Sequence, residues 1–164
     1  MSNLQRLLEA GQFVVTAEIG PPKSADPETV RNAARALRGC VDAVNVTDNQ
    51  TAVVRMSSVA TALLIMQEGV EAVVQMTCRD RNRIGLQSDL LGLAALGLEN
   101  IVCMTGDHPC NGNHPGAKPV YDLDALTWLQ TASRMVAGTF QCGEAIKQPP
   151  KVFIGAVENP FAPP

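Results

Sequence analysis

Two acidic residues follow apolar segments of the chain and could each supply a carboxyl group to a reaction. Asp107 lies within Thr105-Gly106-Asp107-His108-Pro109, directly after the apolar run Ile101-Val102-Cys103-Met104. Glu18 takes the same relative place on an earlier apolar segment, just before Gly20-Pro21-Pro22. Parallel α/β proteins keep their active sites at the carboxyl ends of their strands. The two acids together therefore predict a catalytic site at that edge of a sheet.

Each acid also has a purely structural interpretation. A strand-end acid such as Glu18 is typical of loop capping, and Gly-Asp pairs such as Gly106-Asp107 are common in turns. The pair favours a site more strongly than either acid alone. We expect Glu18 to be desolvated, because burial raises the pKa of a carboxyl toward the range that suits a general acid.

Polar side chains also follow two neighbouring apolar segments. Thr47 opens the cluster Thr47-Asp48-Asn49-Gln50, and Gln75 and Thr77 occupy the end of the next segment. Hydroxyl and amide groups at such positions suit a neutral heteroaromatic ligand better than a phosphate group. The chain has no Gly-x-Gly-x-x-Gly motif and no Walker loop.

Two other motifs have weaker functional interpretations. His108, Cys110 and His114 lie close together, but their spacing is not that of a standard zinc site, so a metal-dependent enzyme is a minor alternative and no metal is predicted. The run Arg79-Asp80-Arg81-Asn82-Arg83 predicts a solvated first turn of a helix, with contact to an acidic or phosphorylated ligand as the alternative.

The elements that position these residues alternate along the chain. The predicted strands lie at about 12–18, 42–47, 71–78, 99–105 and 151–157. The predicted helices lie at about 3–10, 26–38, 55–68, 81–97 and 122–138. Alternation of strands and helices predicts βαβ units and a parallel sheet.

The spacing of the predicted strands bears on the architecture. The first four strand ends recur about every 30 residues, as in a (β/α)8 TIM barrel, with an open flavodoxin-like sheet as the alternative. Five strands do not close such a barrel. We therefore predict that residues 1–164 are a single domain that covers about the first five strands of an incomplete barrel.

Composition narrows the class of protein. The chain has 164 residues, of which 46% are hydrophobic, 18% charged and 4% aromatic, and its net charge is −3. Few aromatic residues and a negative charge argue against a nucleic-acid partner. Neither a membrane-spanning stretch nor a signal-peptide core is visible, so we expect a cytoplasmic protein without a membrane partner. The five cysteines are expected to be reduced, with Cys40 and Cys103 in the core.

Several motifs, taken in order along the chain, resemble the methylenetetrahydrofolate reductase family. They are Ala17-Glu18-Ile19-Gly20-Pro21-Pro22-Lys23, Val46-Thr47, Thr77-Cys78-Arg79-Asp80-Arg81-Asn82, Leu90-Leu91-Gly92 with Leu96-Gly97, Thr105-Gly106-Asp107, Tyr121-Asp122-Leu123-Asp124 and Glu158-Asn159-Pro160-Phe161-Ala162-Pro163-Pro164. The last of these is similar to the fifth-strand loop of bacterial relatives, including those of the acetogen type. The resemblance covers essentially the whole chain.

The resemblance implies an FAD-containing (β/α)8 barrel of one-carbon metabolism and methionine biosynthesis. Reduced FAD would pass a hydride to 5,10-methylenetetrahydrofolate and give 5-methyltetrahydrofolate. By the same resemblance, Glu18 would be the general acid and Asp107 a second catalytic residue beside the flavin and the pterin. The implied cofactor-binding residues are Thr47, Gln75, Met104, Thr105, Gly106, Asp107, Tyr121, Ala156 and Val157. Gln75 stands where many relatives have histidine, and Thr105 where some have arginine.

The resemblance also implies partners beyond the folate substrate. NADH, NADPH or a partner electron carrier would reduce the flavin, and the chain would form a homo-oligomer or a complex with a second subunit. The later strands of the family barrel lie outside this sequence, so the fragment alone is expected to lack full activity. The main alternative is a non-catalytic half-barrel that completes its sheet with another chain.

Overall fold

The computed structural model describes residues 1–157. The predicted fifth-strand loop at 158–164 lies outside the described residues. Five strands and five α-helices alternate in the described part of the chain. The strands are β1 (Thr16–Ile19), β2 (Ala43–Val46), β3 (Ala72–Thr77), β4 (Asn100–Met104) and β5 (Phe153–Ala156). The helices are α1 (Asn3–Glu9), α2 (Pro27–Leu37), α3 (Ser58–Gln67), α4 (Arg83–Ala95) and α5 (Ala125–Val136).

The strands form one parallel sheet in the order β1-β2-β3-β4-β5. The prediction of an α/β fold with a parallel sheet is therefore confirmed. A flavodoxin-like sheet has its second strand at an edge, outside the first. Because β1 is the edge strand here, that alternative is wrong, and the sequential order is the one found in TIM barrels.

The predicted first strand begins too early. Residues 12–15 precede β1, and two of their backbone amides bond outside the strand ladder. The Gln12 amide donates to the Leu7 carbonyl at the end of α1, and the Val15 amide donates to the Asp42 carboxylate at 2.8 Å. The β-branched pair Val14-Val15 therefore lies before the strand rather than inside it.

The two faces of the sheet differ in chemistry. Alternate side chains of the strands pack against the helices in one large core that includes Val44, Val74, Met76, Ile101 and Cys103. The register places Glu18, Asn45, Gln75, Met104 and Gly155 on the opposite face, which we call the open face. At its amino end, Leu4 of α1 covers Ala43 and Val73 in a smaller cluster. The carboxyl half of the open face is therefore the polar part of the sheet.

The helices begin at side-chain caps that the sequence encodes. The Asp26 carboxylate accepts the Glu28 amide at the start of α2, and the Asn82 side chain accepts two amides of α4. Asp124 forms a capping box with Thr127 at the start of α5. Each cap contributes about 1 kcal/mol. Together they fix where the loops at the carboxyl edge end.

The structure tests the predictions about the cysteines and about a membrane-spanning segment. None of the five cysteines is in a disulfide, and Cys103 is buried as expected. Cys40 is exposed, so its predicted place in the core is wrong: it follows the left-handed Gly39 in the turn between α2 and β2. Within residues 1–157, no helix is long and apolar enough to cross a membrane.

Candidate active site

The loops after β2 and β3 are joined by a buried carboxylate. Asp48 accepts hydrogen bonds from the backbone amide and the hydroxyl of Thr77, both at 2.9 Å, and from Arg81 Nη1 at 2.6 Å. The Asp48 side chain is only 1% exposed. A buried charge is stable only when it is paired and hydrogen-bonded. Asp48 is therefore a fixed anchor between the two strand ends.

A second buried group ties three loops together. Arg79 is 2% exposed, and its guanidinium donates to the backbone carbonyls of Asp107 at 3.3 Å and Asn49 at 3.2 Å. It also pairs with Asp80 at 2.7 Å, which raises the pKa of Arg79 and lowers that of Asp80. Its carbonyl accepts the Val120 amide. Arg79 thus holds the ends of β2, β3 and β4 in one arrangement.

The other two arginines of this run are paired with carboxylates of the protein. Arg81 contacts Asp89 at 2.8 Å in addition to Asp48, and Arg83 contacts Asp122 at 2.7 Å. Hydrogen bonds from Arg83 lower the pKa of Asp122 to about 2. The prediction of a solvated turn is therefore wrong for Arg79, which is buried. The alternative of a phosphate-binding turn is not supported, since each guanidinium already has a carboxylate partner.

The loop after β4 requires glycine near its start. Gly106 has φ +91°, and a Cβ atom there would lie 2.9 Å from Thr77 Cβ. The Tyr121 hydroxyl donates to the Gly106 carbonyl at 3.2 Å. One carboxylate oxygen of Asp107 accepts the Thr51 amide at 3.0 Å. The loops after β2 and β4 therefore meet through Asp107.

The loop after β2 holds a backbone conformation that side chains rarely adopt. Asn49, Thr51 and Ala52 all have positive φ, between 46° and 56°. Such strain costs about 1–3 kcal/mol per residue and clusters at functional sites. Contacts with the loop after β4 hold this conformation, because the Val54 amide donates to Asn113 at 3.1 Å and Gly112 packs directly on Ala52. None of these positions is a glycine. Asn49 alone signals a positive φ in the sequence, because asparagine adopts that conformation more often than most residues.

Thr47 carries a buried polar atom for which the described residues supply no hydrogen-bond partner. It is 3% exposed, and its hydroxyl has no hydrogen-bond partner within residues 1–157. Leaving a buried polar group unpaired costs about 1–3 kcal/mol. Gly20, after β1, lies beside it, since a Cβ atom there would be 3.9 Å from Thr47 Oγ1. The segments after β1 and β2 therefore enclose a hydroxyl whose hydrogen-bonding capacity the described residues leave unused.

Three of the predicted site residues share the open face. Glu18, Gln75 and Met104 lie there on β1, β3 and β4. Gln75 and Met104 are half-buried, whereas Glu18 is exposed. The expected desolvation of Glu18 is therefore wrong for this structure. The reason is that β1 is an edge strand, and residues 1–157 place nothing over this part of the open face.

The other predicted site residues differ in their positions relative to the carboxyl edge of the sheet. The Thr105 hydroxyl accepts the Ala125 amide at 3.0 Å and so supports the start of α5. Ala156 is the register partner of Cys103, which places its side chain on the helix-covered face. Val157 follows β5 and is 63% exposed. Thr47, Gly106, Asp107 and Tyr121 come together at the carboxyl edge, while the Ala156 side chain does not join them.

The metal alternative is not borne out by the geometry. Within residues 1–157, no three His, Cys, Asp or Glu side chains gather as metal ligands. His108 Nδ1 instead accepts the Cys110 amide at 3.2 Å within its own turn. His108, Cys110 and His114 are therefore loop residues in this part of the chain.

Comparison with known proteins gives one family. The family model described as methylenetetrahydrofolate reductase matches residues 3–145, well over half of the 164 residues. No curated protein matches the chain. The matched range contains β1 to β4 and the loops that carry Glu18, Thr47, Arg79 and Asp107.

Proposed function

Because the chain belongs to the methylenetetrahydrofolate reductase family, an oxidoreductase family of folate metabolism, we propose that it reduces 5,10-methylenetetrahydrofolate to 5-methyltetrahydrofolate with FAD as cofactor. The observation that carries this proposal is the unsatisfied Thr47 hydroxyl at an edge that also carries Glu18 and Asp107. We further propose that the sheet is the first part of a (β/α)8 barrel and that residues 1–164 belong to one domain.

The residues of the site fit a flavin. The family is generally flavin-dependent. Thr47 offers a buried hydroxyl without a protein partner, Gln75 an amide, and Met104 an adaptable apolar surface. Gly106 brings backbone close to the edge where a flat ring would lie. Bound FAD supplies the hydride chemistry, and the protein supplies orientation and a proton.

Glu18 is the proposed proton donor. It transfers a proton to the bridging nitrogen of the folate, and the bond from that nitrogen to the methylene carbon breaks. The ring opening leaves a cationic, electron-poor methylene group on the other nitrogen. Glu18 must be protonated when folate binds, and its exposure in the structure means that the ligand itself has to exclude water from this carboxyl.

Asp107 is the proposed electrostatic partner of this cation. One of its oxygens is held by the Thr51 amide, which fixes the direction of the carboxylate. The Thr51 contact brings the Asp107 carboxylate to the loop after β2, and β2 is the neighbour of the strand that carries Glu18. A ligand over the open face can therefore contact both acids. A preorganised negative charge stabilises the cationic methylene group as it forms.

We also propose an electron donor, a cellular location and an assembly for the protein. NADH, NADPH or a partner electron carrier reduces the flavin, and the protein acts in the cytoplasm as a homo-oligomer or with a second subunit. The main competitor is a non-catalytic half-barrel. Its supporting observation is that β1 and β5 are the edge strands of the described sheet, because unpaired strand edges favour pairing with another chain.

A flavin-binding measurement tests the proposed function. The purified chain is titrated with FAD, reduced with dithionite under anaerobic conditions, and mixed with 5,10-methylenetetrahydrofolate. We expect visible flavin absorbance, its bleaching on reduction, and its return when the folate accepts the hydride. A chain that binds no FAD alone or in a complex with a second subunit would contradict the enzyme and support the half-barrel.

A further inference from the structure

The strained segment after β2, residues 49–52, is held from both sides by side chains of other loops. At its start, the Arg79 guanidinium donates to the Asn49 carbonyl at 3.2 Å. Just beyond its end, the Val54 amide donates to the side-chain oxygen of Asn113 at 3.1 Å. Three of the four residues of the segment have positive φ. Such conformations persist only where the surrounding structure over-determines them, so these two contacts maintain the strain.

The strained segment carries the hydrogen-bond donor that fixes Asp107. The Thr51 amide donates to one oxygen of the Asp107 carboxylate at 3.0 Å. Within residues 1–157, no other group donates to this carboxylate. The direction of the amide follows from the left-handed conformation of Thr51, whose φ is 56°. The orientation of the Asp107 carboxylate therefore depends on the contacts that keep Thr51 in that conformation.

The loop after β4 fits closely against the strained segment. Gly112 packs directly on Ala52, and a Cβ atom at Gly112 would overlap the Ala52 carbonyl. The φ of Gly112 is −102°, so glycine is needed here for space and not for its backbone conformation. The next residue, Asn113, is exposed and accepts the Val54 amide. Because Asn113 is exposed, its side chain can be changed without opening a cavity in the core.

We propose that Asn113 is a positioning residue of the reaction, an inference that rests on the proposed function. By holding the Val54 amide, Asn113 keeps Thr51 in its left-handed conformation and so aims the Asp107 carboxylate at the cationic methylene group. Without the Asn113 side chain, the segment relaxes toward ordinary φ values and the Thr51 amide turns away from Asp107. The released strain offsets the lost hydrogen bond, so the stability of the fold changes little while the stabilisation of the cation falls.

The test compares Asn113→Ala and Asn113→Asp in the full chain loaded with FAD. Asn113→Ala is expected to slow reoxidation of the reduced flavin by 5,10-methylenetetrahydrofolate about tenfold. Flavin reduction and the urea midpoint of unfolding are expected to stay unchanged. Asn113→Asp keeps an oxygen that can accept the Val54 amide and is expected to retain most of the rate. The control is Asn32→Ala, which removes another exposed asparagine acceptor, that of Arg35 on α2, and is expected to leave the rate unchanged.

A double variant shows whether Asn113 acts through Asp107. Asp107→Ala leaves no carboxylate to aim, so adding Asn113→Ala to it is expected to slow reoxidation no further. A purely structural role of Asn113 would slow the reaction by the same factor with and without Asp107. Equal slowing in the two backgrounds, or no slowing by Asn113→Ala alone, would overturn the proposal.

Hydrogen exchange of the Thr51 amide, measured by NMR, separates failure of this inference from failure of the proposed function, because it needs no folate. Exchange is expected to be about tenfold faster in Asn113→Ala than in the wild type or Asn113→Asp. If the wild type reduces folate but Asn113→Ala changes neither reoxidation nor exchange, the positioning role is wrong and the enzyme stands. If the wild type reduces no folate, the proposed function is wrong. Faster exchange in Asn113→Ala then still supports the hold of Asn113 on Thr51, and unchanged exchange overturns it.

Discussion

At the scale of single residues, the site contains charged groups that have ion-pair or hydrogen-bond partners in the protein. It also contains a hydroxyl that has no partner among the described residues. Asp48 and Arg79 have every charge paired, and Asp107 is aimed by the Thr51 amide. The Thr47 hydroxyl is buried without a partner. Because native proteins rarely leave such a group unpaired, we propose a ligand atom as its partner.

Substitution of Thr47 by valine tests this interpretation. The change keeps the shape of the side chain and removes an unpaired hydroxyl, so we expect the free energy of unfolding to stay the same or rise. FAD affinity is expected to fall about fivefold, the value of one hydrogen bond. Titration with FAD, followed by flavin fluorescence, measures the change.

Thr61→Val is the matched control for this experiment. Thr61 is also buried with an unpaired hydroxyl, but it lies on α3 within the helix-packed side of the protein. Its substitution is expected to leave FAD affinity unchanged. Equal losses of affinity in both variants would show that Thr47 acts through packing and not through a contact with the flavin.

At the scale of elements, the carboxyl edge is a set of loops held by long-range bonds. The helices and strands were predictable because local signals encode them: the Asp26 and Asn82 caps, and the apolar runs of β2, β3 and β4. The conformations of the loops were not predictable from the sequence. Thr51 and Ala52 adopt positive φ without glycine, because contacts with residues near 107–113 hold them. Such contacts leave no local pattern.

The anchor between β2 and β3 gives an energetic prediction. Asp48→Ala removes a buried carboxylate, leaves the Thr77 amide without its partner, and leaves Arg81 with one of its two carboxylate partners, Asp89. We expect the free energy of unfolding to fall by about 2–3 kcal/mol. Asp89→Ala removes the more exposed partner of Arg81 and is expected to cost less than about 1 kcal/mol. Urea denaturation measures both, and equal costs would contradict the role of Asp48 as the anchor.

The pair Arg83–Asp122, which joins α4 to the segment before α5, gives a pH dependence. Arg83 lowers the pKa of Asp122 from 3.8 to about 2. A carboxyl with a lowered pKa in the folded state stabilises that state above about pH 4, and the effect is lost as the pH falls toward about 2. We therefore expect Asp122→Asn to unfold at lower urea than the wild type at pH 7. That gap is expected to close between about pH 4 and about pH 2, and a gap that persists unchanged would contradict the pair.

At the scale of the whole molecule, the sheet order and its two faces organise the site. The alternation of strands and helices predicted a parallel sheet, and all the observed strand pairs are parallel. The exposure of Glu18 was not predictable from its apolar neighbours Ala17 and Ile19, because alternation sends their side chains to the helix-covered face and that of Glu18 to the open face. The apolar neighbours of Glu18 in the sequence therefore led to a wrong prediction of its burial. The partners of Arg79, Arg81 and Arg83 were equally hidden, since charge pairing depends on which loops meet in the folded chain.

The proposed reaction requires that Glu18 donates the proton that opens the folate ring while the flavin supplies the hydride. Glu18→Gln keeps the shape of the side chain but has no acidic proton to give. The most direct measurement compares the two half-reactions of this variant by stopped flow, with Glu9→Gln on α1 as the control. We expect flavin binding and flavin reduction to remain, and reoxidation by 5,10-methylenetetrahydrofolate to slow about a thousandfold. Equal slowing of both half-reactions, or no slowing of reoxidation, would contradict the role of Glu18 as the proton donor.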